Sequence, residues 1–418
     1  MAREHGDVSH FGVGPRHVYL LIHPEHVRDV LVTHARRFEK GPAMRLAARL
    51  LGNGLLTSEG DFHLRQRRLI QPAFVKSALG HHGETMVRHA ERLALDWRDG
   101  DVRDVAADMS RLTLGIAAET LFGADVDSEA REIREALGDI LGMFDLGLLP
   151  LVSILEKIRL PILRRFERPK ARLDATVLRL IANRRAAGGD RHDFLSLLLA
   201  ARDQEGDGKG MTNEQVRDEA ITIFLAGHET TANALAWTWH LLGDHPEAEA
   251  RLHAELDATL GSRLPDVEDL PRLAFTESVV SESMRLRPPA WAMGRRAIEL
   301  HQAGPWPIPA GSVVLVSQWV TQRDPRWWRD PLRFDPDRFL PEPSAARPRF
   351  AYFPFGGGPR QCIGEGFAWM EAVLCLATLA RRWRLRGVPG HPVALHPSIT
   401  LRPRHGLRMV LSRRPHGA

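Results

Sequence analysis

The sequence predicts a mainly α-helical protein with small β-sheets (α+β), folded as one domain over residues 1–418. Helical periodicity continues for about 270 residues after Pro24, with Gly and Pro marking the helix ends. After Arg287 the pattern changes to Pro-rich turns and short strands. Because no linker or internal repeat divides the chain, we expect the helices to share one core.

The elements follow from local patterns. A β-hairpin is predicted first, since residues 7–11 and 17–22 alternate around a Gly- and Pro-containing turn. Residues 203–210, which are acidic and Gly-rich, indicate a surface loop. The predicted helices are 26–33, 64–70, 84–96, 104–121, 129–143, 170–185, 213–242, 246–260 and 364–383. The later predicted strands are 290–298, 312–317, 399–403 and 408–412.

Composition excludes several classes. With 44% hydrophobic and 26% charged residues, the chain is neither disordered nor fibrous. Two cysteines, Cys362 and Cys375, are too few for a disulfide framework or a zinc site with several thiolates.

The polar first ten residues lack the apolar core of a signal peptide, so we expect a cytoplasmic protein. Residues 220–242 are long and apolar, but Glu229 near their middle favours a buried helix over a membrane span.

The positive charge is uneven. Residues 321–418 contain 17 Arg against 7 Asp and Glu, whereas the chain as a whole has a net charge of +5. No basic run interleaved with aromatic residues and no nucleic-acid-binding motif accompanies this excess. A solvated Arg-rich surface is therefore favoured over nucleic-acid binding, and a basic patch facing an acidic protein partner stays open.

The segment with the most specific chemistry runs from Phe355 to Gly364, Phe-Gly-Gly-Gly-Pro-Arg-Gln-Cys-Ile-Gly. It places Cys362 at the start of a helix, where backbone N–H groups and the helix dipole are expected to lower the thiol pKa. Its glycines allow the backbone to approach a flat cofactor, and Arg360 is able to bind an anion. The residues alone indicate a metal ligand or a nucleophile, with an inert buried Cys as the alternative. A phosphate loop is excluded because no Gly-Lys-Ser/Thr follows.

The pattern Phe-Gly-Gly-Gly-x-Arg-x-Cys-x-Gly resembles the heme-binding loop of the cytochrome P-450 superfamily, in its bacterial soluble form. The resemblance implies the cytochrome P-450 fold, with heme b (iron protoporphyrin IX) between a long central helix and the Cys-bearing loop. Cys362 is then the metal ligand, Arg360 pairs with a heme propionate, and Phe355 and Gly356 contact the heme. Cys375, which lacks such a loop, is expected in the core.

The central helix carries a second match, Ala-Gly-His-Glu-Thr-Thr at 226–231. Helical spacing places Ala226, Gly227 and Thr230 on one face, where two small residues leave room above a flat ring. The alternative is a helix that merely packs. The resemblance implies that Thr230 holds dioxygen and that Glu229 helps to deliver protons. A zinc-protease motif is excluded, since Ala232 stands where the second His is required.

Two further matches are weaker on their own. Glu282 and Arg285 are spaced as an ordinary helix ion pair, and the resemblance implies a structural triad with Arg338. His63 and Arg67, at i and i+4, would by themselves suggest an ordinary basic helix.

In the cytochrome P-450 superfamily the equivalent helix binds a heme propionate, and the resemblance implies that His63 and Arg67 do so in this chain. Either Arg295 or Arg296 is expected to add a contact, since strand neighbours face opposite sides and only one of them is able to face the heme. The spacing from Ile308 and Pro309 favours Arg295.

The resemblance covers nearly the whole chain and implies a monooxygenase that inserts one atom of dioxygen into a small apolar substrate. Family members usually have some tens of residues before the first strands, which this chain almost lacks.

No Gly-x-Gly-x-x-Gly fingerprint is present, so electrons are expected from a separate ferredoxin or flavodoxin with its reductase. A peroxide-using or isomerising heme-thiolate enzyme, or a non-enzymatic heme sensor or carrier, is the alternative. The expected substrate contacts are Phe144, Leu148, Ile223, Ala226, residues 290–293 and Ile399.

Overall fold

The computed structural model describes residues 2–123, apart from six positions between 42 and 50, together with 161–187 and 193–414. The helices are α1 (Ala2–His5), α2 (Pro24–Arg28), α3 (Gly60–Ile70), α4 (Lys76–Leu79), α5 (Gly83–Asp96), α6 (Val105–Phe122), α7 (Pro161–Ala187), α8 (Phe194–Ala200), α9 (Asn213–Asp244), α10 (Pro246–Leu260), α11 (Ala274–Leu286), α12 (Gln318–Thr321), α13 (Pro341–Ala345) and α14 (Glu365–Ala380).

The strands are β1 (Val8–Val13), β2 (Arg16–Leu21), β3 (Phe38–Lys40), β4 (Val102–Asp104), β5 (Met293–Ala297), β6 (His301–Ala303), β7 (Trp306–Ile308), β8 (Val313–Val316), β9 (Trp383–Gly387), β10 (Leu395–Pro397), β11 (Leu401–Pro403) and β12 (Arg408–Arg413). The predicted mainly α architecture with small sheets is confirmed. The predicted helix 129–143 lies outside the described residues.

The long helix α9 is the centre of the helical core. It begins with a capping box, in which the Thr212 hydroxyl accepts from Gln215 N–H and the Gln215 side chain accepts from Thr212 N–H. Most of its 32 residues are buried, and α6 packs closely along it. The Thr113 hydroxyl of α6 donates to the His228 carbonyl over 2.8 Å. Helix α14 packs against both α5 and α9, which brings the segment after Cys362 into the same core.

The strands form two sheets and two hairpins. The larger sheet has the order β1-β2-β8-β5-β3, in which only β2 and β8 run parallel. The second sheet has the order β4-β12-β9, and β6-β7 and β10-β11 are separate antiparallel hairpins. A second, smaller apolar core lies against the larger sheet, including Leu21, Val30, Phe38 and Val314. This sheet therefore forms a subsidiary layer beside the helices.

Two boundaries correct the sequence-based prediction. The last long helix ends at Ala380, because Trp383 starts β9, pairs with Arg413 and donates its indole N–H to the Ala94 carbonyl. The helix predicted over 26–33 is α-helical only to Arg28 and continues as a π-helix. None of the helices in the described part of the chain combines the length and apolarity that crossing a bilayer requires.

Candidate active site

The Cys362 loop is held in a shape that glycine alone allows. Gly356 and Gly358 have φ values of 75° and 66°. A Cβ added at Gly358 would stand 2.1 Å from the carbonyl oxygen of Leu31. The Cys362 N–H donates to the Phe355 carbonyl over 2.9 Å and closes the loop. The sequence therefore dictates the loop locally, and the chain around Leu31 supports it from behind.

The Cys362 side chain combines exposure with a protein surrounding. It has accessible surface, yet burial raises the pKa of its thiol, and this combination is typical of the wall of an internal cleft. A hydrogen bond from Gly364 lowers this pKa, but less than burial raises it. The expectation that the helix start lowers the thiol pKa is therefore wrong, because desolvation outweighs the backbone N–H groups. A bound metal cation reverses this order, since a coordinating thiol loses its proton. Cys375 is fully buried in the core, as predicted.

Helix α9 has an open notch at the predicted motif. Ala226 is exposed, although the preceding residues Phe224 and Leu225 are buried, and a Cβ built on Gly227 meets no atom within 4 Å. The Thr230 hydroxyl donates to the Ala226 carbonyl over 2.7 Å. The notch and this hydroxyl thus lie on the same stretch of an otherwise packed helix.

Glu229 is anchored to a segment that sequence reasoning did not connect with it. Its Oε1 accepts from Nε of Arg402, 2.6 Å away, and from the hydroxyl of Thr400. The Asn233 side chain donates to the Glu229 carbonyl and also to Thr400. The carboxylate is therefore part of a polar network between α9 and the chain near β11. No sequence signal identifies Arg402, which lies 173 positions away.

Basic side chains from four segments form a cluster beside the Cys loop. Burial and Arg360 lower the pKa of Lys40 to about 7 and that of Arg295 to about 10. Burial, Arg360 and Lys40 lower the pKa of His63 to about 3. Buried basic groups that lie close together, with lowered pKa values, indicate a site that binds an anion. Lys40 was missed from the sequence, because no motif accompanies it.

The register of β3 and β5 separates two neighbouring arginines. Lys40 is opposite Arg295, whereas Glu39 is opposite Arg296. Arg296 donates through Nε to Glu39 over 2.6 Å, while Arg295 is buried near Arg360 and Lys40, with Glu59 as the nearby acid. Strand alternation thus sends Arg295 and Arg296 to different environments, as their adjacent positions require.

The remaining contacts of the basic cluster connect α3 and the chain before it to the Cys loop. Arg360 donates to the Ser58 carbonyl over 2.7 Å and forms an ion pair with Glu59. Arg67 donates to the Gln361 carbonyl over 2.7 Å. Nδ1 of His63 is 3.4 Å from the Ser58 hydroxyl, and a contact with the Pro359 backbone raises the pKa of the ring against the larger effect of burial. These contacts hold the basic groups in place around the loop.

The expected structural triad is assembled away from these groups. Arg285 donates to both oxygens of Glu282, over 2.6 and 2.7 Å, and both side chains are fully buried. Nε of Arg338 lies 3.5 Å from Glu282 Oε1. Arg285 also donates to three carbonyls, which satisfies its guanidinium.

Of the expected substrate contacts, Ile223, residues 290–293 and Ile399 are half-buried and Ala226 is exposed. Phe144 and Leu148 lie outside the described residues.

The described residues fit a heme group in three respects. A soft sulfur ligand stands on an exposed loop position, small residues leave an open notch on α9, and buried cations are gathered beside the same loop. A thiolate and a surrounding of Arg and Lys suit an iron porphyrin with two propionates.

Comparison with known families agrees with this assignment. The profile of the family described as Cytochrome P450 matches residues 1–406, so the chain belongs to the cytochrome P450 family. The protein is accordingly a heme-dependent oxidoreductase of the class that incorporates oxygen.

Its relatives include bacterial enzymes of known name. The chain is 43% identical over 401 residues to cyclooctatin synthase of Streptomyces melanosporofaciens, covering 95% of this chain and 87% of the relative. It is 41% identical over 390 residues to cyclooctat-9-en-7-ol 5-monooxygenase of the same organism, with 92% and 84% covered. Pentalenene oxygenase of Streptomyces avermitilis is 38% identical over 420 residues, with 99% and 92% covered.

Solved structures show the same fold. The heme domain of cytochrome P450DA superposes with a TM-score of 0.88 at 27% identity, covering 98% of this chain and 90% of that one. Cyanobacterial CYP120A1 with bound retinoic acid also gives 0.88, at 26% identity, with 99% and 93% covered.

Proposed function

We propose that this protein is a single-domain, cytoplasmic heme-thiolate monooxygenase that oxidises a terpenoid with electrons from a separate protein. The observation that carries the proposal is the cation cluster beside the exposed Cys362. Burial, and after it the charge of Arg360, lowers the pKa values of Lys40, Arg295 and His63, and a propionate-bearing group would relieve the repulsion between these cations. The proposed cofactor is heme b, held without a covalent link.

Cys362 is the proposed iron ligand, and Arg360, Arg295, Arg67, His63 and Lys40 are the proposed partners of the propionates. Phe355 and Gly356 border the loop, and Ala226 and Gly227 provide the notch for the ring. When bound, the heme supplies the activation of dioxygen for insertion into a C–H or C=C bond. The close approach of Gly358 to Leu31 restricts the backbone of the loop that carries Cys362.

Thr230 and Glu229 are the proposed groups for proton handling. The Thr230 hydroxyl is at the edge of the notch and keeps an acceptor lone pair while it donates to Ala226. The Glu229 carboxylate is one residue away and is connected through Arg402 and Thr400 to β11. Proton transfer from this network requires Glu229 to leave its ion pair with Arg402, so the pair sets when the carboxylate is available.

The proposed substrate class is an apolar terpenoid. The names of three relatives refer to cyclooctatin, cyclooctat-9-en-7-ol and pentalenene, and a structural neighbour binds retinoic acid. These names describe compounds with large hydrocarbon skeletons, which suit the half-buried apolar side chains of Ile223, Met293 and Ile399. Assays with terpene hydrocarbons and their monohydroxylated products test the class directly.

The proposed electron donor is an acidic ferredoxin or flavodoxin. The basic excess of residues 321–418 surrounds the Cys362 loop in sequence, and charge complementarity steers such partners. Coupling to a ferredoxin is expected to weaken as salt rises. Salt-independent coupling, or equal turnover with peroxide alone, would instead favour a peroxide-using enzyme.

The first experiment is the absorption spectrum of the reduced protein under carbon monoxide. The wild type is expected to show the red-shifted Soret band typical of a thiolate ligand, and Cys362→Ala is expected to lose it while Cys375→Ala retains it. If the wild type binds heme without that band, Cys362 is not the ligand. If it binds no heme, the proposal as a whole fails.

A further inference from the structure

A cluster of metal-binding side chains lies outside the candidate active site. The ligand atoms of Asp29, His34 and His301 all lie within 4.8 Å of one another. Nδ1 of His34 is 2.5 Å from Oδ1 of Asp29, and Nε2 of His301 is 2.8 Å from Oδ2 of the same carboxylate. Two imidazoles and one carboxylate are a donor set typical of zinc and related divalent metals.

The backbone brings two of these residues to one side by an unusual turn. Asp29–Thr33 form a π-helix directly after α2, and the His34 N–H donates to the Asp29 carbonyl over 2.8 Å. In a regular α-helix, side chains five positions apart diverge, because each residue turns by about 100°. The wider π turn returns His34 to the side of Asp29. Such turns are frequent at functional sites.

His301 approaches the carboxylate from β6 in the manner of a ligand. Its side chain is 2% exposed, and neither ring nitrogen makes a hydrogen bond of normal geometry among the described residues. Nε2 and Asp29 Oδ2 are at hydrogen-bonding distance, but the N–H is not directed along the line between them. This geometry is compatible with two side chains that share one cation.

We propose that Asp29, His34 and His301 bind one divalent transition-metal ion, with Zn²⁺ as the representative, and that water completes the coordination. The surrounding charge permits it. Arg37 is the neighbouring cation, and it is paired with Glu299 at 2.9 Å. The Asp29 carboxylate therefore remains the charge that faces the ion.

The site would act on the loop that carries Cys362. The π-helix is pressed against this loop, since a Cβ at Gly358 would meet the Leu31 carbonyl at 2.1 Å and Val32 Cα at 3.1 Å. A metal ion shared by Asp29, His34 and His301 ties the π-helix to β6. Its role is therefore structural: it stabilises the support of the Cys loop and takes no part in the oxidation.

The test is isothermal titration of the chelator-treated holoenzyme with Zn²⁺, together with zinc analysis after dialysis. The wild type is expected to bind one Zn²⁺ per chain at this site, and His34→Ala and Asp29→Asn are expected to weaken it by more than about 100-fold. His34 is partly exposed, so its removal leaves the fold intact. The control is His10→Ala combined with His17→Ala, an exposed pair whose ring nitrogens are 2.9 Å apart on the β1–β2 hairpin.

Hydrogen exchange provides a second readout that does not depend on turnover. Zn²⁺ is expected to slow exchange of the amides of residues 29–34 in the wild type and in the control, but not in His34→Ala. The proposal is overturned if no Zn²⁺ binds, or if binding survives both His34→Ala and Asp29→Asn. It is likewise overturned if the His10/His17 variant alone abolishes binding.

Discussion

Nε of Arg402 lies 2.6 Å from Oε1 of Glu229, so the acid beside Thr230 is held in an ion pair with a strand more than 170 positions away. The pair is partly buried, and Thr400 donates to the same oxygen. A carboxylate in such a network is fixed in position until its partner releases it. In the proposed mechanism, the network therefore determines when Glu229 is able to move a proton.

Glu229→Gln is expected to lower turnover by about 100-fold, the lower end of the range for general acid–base catalysis. Arg402→Gln is expected to give a smaller loss, because it frees the carboxylate without removing it. Heme content should be unchanged in both variants. Product formation with saturating electron donor measures the effect, and Glu214→Gln, an exposed acid at the start of α9, is the control. Wild-type turnover in Glu229→Gln would contradict the proposed role.

Arg295→Gln is expected to weaken heme retention by about 10- to 100-fold, since a charge-assisted hydrogen bond contributes about 1.5–3 kcal/mol. Arg296→Gln is the matched control, because the adjacent residue on the same strand pairs with Glu39 instead. Heme transfer to an apo-acceptor protein measures both rates. Equal retention in the two variants would place the propionates elsewhere.

Gly358→Ala is expected to abolish the thiolate-type carbon monoxide spectrum. The added Cβ collides with the Leu31 carbonyl, and the φ of 66° disfavours any L side chain. Gly12→Ala on β1, where a Cβ meets nothing within 4 Å, is expected to leave the spectrum unchanged. A normal spectrum in Gly358→Ala would show that the loop tolerates a shift.

Glu219 is expected to make the stability of the protein depend on pH. Burial raises its pKa from 4.5 to about 7, against the hydrogen bonds from Gln66 and the Leu55 N–H. Between pH 4.5 and 7 the folded state binds the proton more tightly than the unfolded state, so the free energy of unfolding falls as pH rises. The total is up to about 3 kcal/mol.

Urea unfolding at a series of pH values tests this dependence. Glu219→Gln is expected to flatten the curve between pH 4.5 and 7, whereas the exposed Glu268→Gln is expected to leave its slope unchanged. An identical slope in Glu219→Gln and the wild type would assign the pH dependence to other groups.

Glu282→Ala is expected to destabilise the fold by about 3–5 kcal/mol, because it leaves the guanidinium of Arg285 buried without a counter-ion. Asp337→Asn, which removes an exposed pair with Arg251, is expected to cost about 0–1 kcal/mol. The midpoint of urea unfolding compares the two. A cost for Glu282→Ala no larger than that of the control would mean that the three carbonyls alone satisfy Arg285.

The sequence by itself determined the features that depend on neighbouring residues. Spacing and turn residues were enough to place the hairpin, the long helix α9 and α10 from Pro246 to Leu260, because periodicity and capping act within a few residues. The Gly-rich loop of Cys362 is another locally determined feature, since its positive φ values occur at glycines. Boundaries failed where a remote contact intervened, as at Trp383, which pairs with β12 instead of extending α14.

Only the tertiary structure decided which distant side chains meet. The ion pair of Glu229 with Arg402, the arrival of Lys40 beside Arg295 and the meeting of His301 with Asp29 all join segments far apart in the chain. The sign of the Cys362 pKa shift also came from the fold, because desolvation depends on everything packed around the sulfur. Local sequence sets backbone geometry through sterics and short hydrogen bonds, whereas burial and charge pairing depend on the complete path of the chain.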